Sequence, residues 1–116
     1  MIYNKLVRDR IPEIIERQGE SPVFKTLNEE EYKNQLNIKL DEEIAEYREN
    51  KDIEEMADVL EVLFALNEAY GHSKEELFLV YDKKHKERGG FSDRIFLISK
   101  NKKGHSPKGA KNERMA

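Results

Sequence analysis

Residues 53–70 read IEEMADVLEVLFALNEAY, and this stretch decides the fold. At ~100° per residue, Glu54, Asp58 and Glu61 fall within a narrow arc, and Glu55 lies about 60° from Asp58. Met56, Val59, Leu60, Val62, Leu63, Phe64, Leu66 and Tyr70 occupy the rest of the circumference. A helix that is apolar nearly all round is expected to be buried. Burying unpaired carboxylates costs several kcal/mol each, so the acids on this helix must be protonated, paired with cations or bound to a metal.

Upstream, Asn28 with Glu31 three residues on forms a capping-box pattern that opens a long helix. Its Leu36, Leu40, Ile44 and Tyr47 make one apolar stripe. Relative to the stripe's centre, Glu43 lies about 60° off, Glu46 about 120° and Glu42 about 160°. Glu43 and Glu46 therefore border the buried seam, with Glu42 the most exposed of the three. The spacer between Glu49 and Asp52 is short enough to force an antiparallel pairing of the two helices. The pairs Glu43/Glu46 and Glu55/Asp58 can then converge on one point. Four hard oxygen donors, without His or Cys, suit Mg²⁺ or Mn²⁺ and metal-assisted phosphate chemistry.

Working outward, Pro12 suits the first turn of a short helix over Glu13, Ile14, Ile15 and Glu16, and Gly19 its exit. The segment SPVFKTL reads as an extended connector. Asp52 with Glu55 repeats the capping pattern for the buried helix, and Gly71 ends it. Ser73 with Glu76 opens a last helix that stops at Gly89 and Gly90. On that helix Leu77, Tyr81, Lys84 and Arg88 recur on one stripe, which makes Lys84 and Arg88 candidate phosphate contacts. The run Phe91 to Ile98 reads as a strand or an extended arm, and no internal repeat occurs. The expected architecture is all-α, an antiparallel helical bundle with short extended segments near the ends.

The chain has 116 residues with 39% charged and 37% hydrophobic, enough apolar mass for one modest core that a partner copy would enlarge. The expected division is a helical domain over residues 1–98 and a basic, flexible tail over 99–116. After Ser99 the net charge is +5, which leaves −8 on the preceding body, a poor surface for nucleic acid. Cysteine is absent, which excludes disulfides and thiolate metal sites. No apolar run approaches the ~18 residues of a membrane span, so a soluble, cytoplasmic protein is expected.

The pattern Glu42-Glu43-x-x-Glu46, followed by Glu55-x-x-Asp58, resembles the EExxE…ExxD motif of the MazG-like all-α nucleotide pyrophosphohydrolases. YNKLVRDRIPEII near the start and KKHKERGGFSDRI later resemble a small branch of that superfamily, the phosphoribosyl-ATP pyrophosphohydrolase-like or house-cleaning proteins. The resemblance covers roughly residues 1–98. It implies Mg²⁺-dependent hydrolysis of a nucleoside triphosphate to the monophosphate and pyrophosphate by a homodimer or homotetramer. It makes Glu43, Glu46, Glu55 and Asp58 the metal ligands and Glu42 the candidate to orient or deprotonate the attacking water. Lys5 and Arg8, in a segment typical of the branch, are expected to close over substrate or to pair with acids of the body. Standard, non-standard and phosphoribosyl-ATP substrates all fit the pattern.

Rival readings accompany these expectations. Glu55 fits the third position of a capping box with Asp52, a purely structural role. Glu42, Glu43 and Glu46 fit a solvated face paired with Lys39 and Arg48. A non-catalytic helical adaptor would use the acid rows to bind a basic partner. Asp82-x-x-His85 is a single imperfect copy of a di-iron element, and His72, His85 and His105 read as ordinary surface residues.

Overall fold

The computed structural model describes residues 1–103. The chain is all-α, with four helices and no strand among the described residues: α1 (Ile11–Arg17), α2 (Glu29–Asn50), α3 (Ile53–Ala69) and α4 (Lys74–Arg88). All four lie within the span expected for the helical domain. Residues 104–116, most of the expected tail, lie outside the described residues. No described helix is long and apolar enough to cross a membrane.

The two long helices begin as their capping residues dictate. Asn28 accepts from the Glu31 amide at 2.9 Å, and Glu31 reaches back to the Asn28 amide at 3.2 Å, a reciprocal box that satisfies two otherwise orphaned donors. At 22 residues α2 is about 33 Å long. It ends where Lys51 adopts a left-handed backbone, φ 52° and ψ 36°, and its amide donates to the Tyr47 carbonyl. Asp52 then caps α3 through the Glu55 amide at 2.9 Å. With only Lys51 and Asp52 between them, α2 and α3 fold back as a hairpin, and this hairpin is the main helix–helix interface.

The α3–α4 turn is set by Asn67, whose amide donates to the His72 and Ser73 carbonyls at 3.2 and 2.9 Å, and by Gly71 at φ 92°. Ser73 and Glu76 form a second reciprocal box. Helix α4 meets α3 where the Phe64 and Phe78 rings stack tilted at 5.9 Å. It leaves the expected inward stripe unfilled: Leu77 is half-buried, but Tyr81, Lys84 and Arg88 are exposed.

The expectation that α3 is buried holds on one side only. Leu36 and Val62 are the buried hydrophobic side chains among the described residues, each worth about 2–3 kcal/mol. Met56, Leu60 and Leu63 remain about half exposed. The physical reason is that α2 alone cannot cover a helix that is apolar on nearly every side. Between α3 and α4 this leaves an apolar cleft of about 670 Å³, lined by Leu60, Leu63, Phe64, Leu77, Phe78 and Tyr81 among others. Phe91 to Ile98 forms neither strand nor helix, and Phe91, Ile95, Phe96 and Ile98 are almost wholly exposed.

Candidate metal centre

The hairpin brings the acid pairs of α2 and α3 to one place. One carboxylate oxygen each from Glu43, Glu55 and Asp58 lies within 4.8 Å of the other two. Ionised carboxylates at such separations near a protein surface repel one another by a few kcal/mol per pair. The arrangement therefore calls for compensating cations or for a shared proton.

Compensation is partial. Lys39 places its ammonium 3.2 Å from Glu43 Oε1 and 3.6 Å from Glu42 Oε2. Arg8 Nη2 donates to Asp58 Oδ1 at 2.6 Å, and Lys5 lies 3.6 Å from Glu42 Oε1. Two buried oxygens are left over: Glu43 Oε2 and Glu55 Oε2 have no N–H or O–H donor within hydrogen-bond distance. Glu43 is the most buried charged residue described, at 7% exposure. Buried carboxylate oxygens without donors, on two members of a group of converging acids, fit a bound cation better than they fit a solvated face.

Glu55 separates the capping reading from the site reading. At the starts of α2 and α4 the third-position glutamate turns back to cap the helix. At the start of α3, Asp52 caps the Glu55 amide, but the Glu55 side chain does not reciprocate. It accepts instead from Asn50 Nδ2 at 3.2 Å through Oε1 and leaves Oε2 buried and unpartnered. Its carboxylate is thus spent on the cluster rather than on the cap.

Glu46 stands outside the group of converging oxygens and is exposed, yet it remains electrically part of the site. Sharing a proton with the adjacent Glu43 carboxylate, and repulsion from it, raise the Glu46 carboxyl above its ordinary range, with burial, Glu55 and Glu42 adding to the effect. Glu42 is tied to two ammonium groups, so Lys39 pairs with the acids as the solvated-face reading expected, while Arg48 makes no ion pair among the described residues. Glu54 and Glu61 are exposed and lie outside the cluster. Lys84 and Arg88, on the exposed α4, make no ion pair or hydrogen bond to it.

Two contributors were not singled out from sequence. Asn50 fixes Glu55, and its signal is slight: a helix-terminal Asn five residues before a glutamate. An apolar hollow of about 190 Å³ lined by Ile44, Tyr47, Met56 and Val59 sits on the same two helices, next in sequence to the clustered acids. Its residues read as core in any periodic analysis.

No family model matches the chain. Over 44 residues it is 57% identical to a protein of Mycolicibacterium smegmatis named only as uncharacterized. That match takes in 38% of this chain, which spans 45% of that relative's length. No solved structure matches.

Proposed function

We propose that the protein is a Mg²⁺-dependent nucleotide pyrophosphohydrolase of the MazG-like type, cleaving a nucleoside triphosphate to the monophosphate and pyrophosphate. The observation that carries this reading is the convergence of Glu43, Glu55 and Asp58 with two buried oxygens that lack partners. Such a donor set, all hard oxygen, fits Mg²⁺ or Mn²⁺ and leaves coordination positions for water and phosphate. Glu43, Glu55 and Asp58 would hold the ion, with Glu46 joining through a change of rotamer. When bound, the metal supplies charge neutralisation and alignment of the phosphate oxygens.

The chain's own residues carry the remaining roles. Glu42 borders the cluster and serves to orient or deprotonate the attacking water once Lys5 and Lys39 are drawn away from it. Arg8 and Lys5, from the N-terminal segment, lie against the acids and are suited to phosphate oxygens. Lys84 and Arg88 reach a substrate only if α4, or its copy in a second chain, closes toward the site. The half-exposed apolar face of α3 supports a homodimer or homotetramer, and the proposed compartment is the cytoplasm.

The test is incubation of the full chain with a panel of standard and modified triphosphates and phosphoribosyl-ATP, with Mg²⁺ or EDTA, followed by phosphorus NMR. Monophosphate plus pyrophosphate, lost with EDTA and in Asp58→Asn, is the expected result. If a folded, Mg²⁺-loaded sample turns over none of them, the exposed α3–α4 surface favours the helical adaptor instead.

A further inference from the structure

The contact between Arg8 and Asp58 carries more than a role in holding the N-terminal segment. Arg8 Nη2 sits 2.6 Å from Asp58 Oδ1, and Asp58 is one of the three acids that converge. The pair joins a residue outside any helix to a residue 50 positions away, so it is a tertiary contact rather than a local one. Both side chains are open to solvent, 56% and 40%. An exposed ion pair of this kind contributes little stability and is readily exchanged.

The same segment is tied at a second point, where Lys5 approaches Glu42 at 3.6 Å. Asp9 lies close enough to help raise the Tyr32 hydroxyl on α2, an effect led by burial and by Glu68. Lys5, Arg8 and Asp9 therefore lie along the α2–α3 hairpin, with their cations on its acid cluster. By contrast Arg10, two residues on, makes no ion pair among the described residues.

From this the geometry points to Arg8 as an exchangeable internal cation. With no metal bound it holds Asp58. A divalent ion taking Asp58 displaces the guanidinium, which is left beside the metal and free to take phosphate oxygens in bidentate fashion. One side chain would thus oppose binding of the bare ion and favour binding of the ion together with a phosphate ligand. The inference rests on the metal site of the proposed function and adds a coupling between its two ligands: the ion binds better with phosphate than alone.

The opposite signs are what an experiment can read. Mn²⁺ binding to the full chain is measured by electron paramagnetic resonance at low ionic strength, alone and with inorganic pyrophosphate, for the parent, Arg8→Gln and Arg10→Gln. Arg8→Gln is expected to bind bare Mn²⁺ roughly two- to fivefold more tightly than the parent. It should bind pyrophosphate in the presence of Mn²⁺ at least about tenfold more weakly, as for loss of a charge-assisted pair. Arg10→Gln, which removes the same charge from the same segment, should move both values much less. Equal effects of the two variants, or both affinities of Arg8→Gln moving the same way, would overturn the exchange while leaving the metal site standing. A parent protein that binds no Mn²⁺ would overturn both.

Discussion

Glu55 shows how one side chain can satisfy two sequence rules and follow only one of them. Spacing from Asp52 marked it as a capping residue and spacing to Asp58 marked it as a ligand; the amide obeys the first rule and the carboxylate the second. Glu55→Gln keeps the acceptor for Asn50 and removes a charge from the cluster. In EDTA this variant should melt about 4–8 °C higher than the parent, for about 1 kcal/mol of relieved repulsion. Its Mn²⁺ affinity should fall at least about tenfold. A lower melting temperature in EDTA would contradict the view that the empty cluster is strained. Glu46 supplies a pH signature of the same strain. Because its folded pKa is raised above the ordinary 4.5, the stabilisation associated with its protonated form is complete below 4.5 and is lost as pH rises through the folded value. Glu76, lowered chiefly by its hydrogen bond from the Ser73 amide, acts on the other side, losing its contribution as pH falls below 4.5. Thermal melts in EDTA should therefore decline from pH 4.5 toward neutrality. Glu46→Gln or saturating Mg²⁺ should flatten that decline, and a slope unchanged in Glu46→Gln would refute the assignment.

At the scale of elements, most of the fold was legible because helix boundaries rest on local chemistry. Asn28/Glu31 and Ser73/Glu76 form the boxes their spacing announces, Pro12 opens α1, and Asp52 caps α3. The two-residue link at Lys51 and Asp52 dictated the hairpin and so the meeting of Glu43 with Glu55 and Asp58. What spacing could not supply is how far apart two helices stand. Leu77, Tyr81, Lys84 and Arg88 share a stripe, yet α4 diverges from α3 and leaves all but Leu77 exposed, because periodicity fixes a face without fixing what covers it. The caps allow a contrast. Asn28→Ala and Asp52→Ala should each cost about 1 kcal/mol. Only Asp52→Ala should also weaken Mn²⁺ binding, since it frays the turn that carries Glu55. Calorimetric melts paired with Mn²⁺ titrations check this, and equal metal affinities in the two variants would count against a coupling of cap to site.

The molecule as a whole exposes more apolar surface than one chain should keep. Leu60, Leu63, Phe78 and Leu79 on α3 and α4 are all more than 40% exposed, beside a cleft of about 670 Å³. Large exposed apolar surface is characteristic of interaction sites. We predict that the full chain sediments as a dimer or larger, with a melting temperature that rises with concentration. Leu60→Glu should shift it toward monomer, and a parent that sediments as a monomer at micromolar concentration would remove the prediction. The reading of charge and composition anticipated a thin core, but sequence periodicity placed α3 inside without saying whose surface would enclose it. Within one chain, the hairpin has the mechanics of a pair of tongs. Its jaws are the acids of α2 and α3, and its joint is Lys51, a non-glycine residue held at φ 52°. Mg²⁺ demands oxygens near 2.1 Å, whereas Ca²⁺ accepts about 2.4 Å. If the cluster holds an ion, the backbone turn at Lys51, one residue from the Asn50 that fixes Glu55, sets the gap between the jaws and with it the ion radius they would accept.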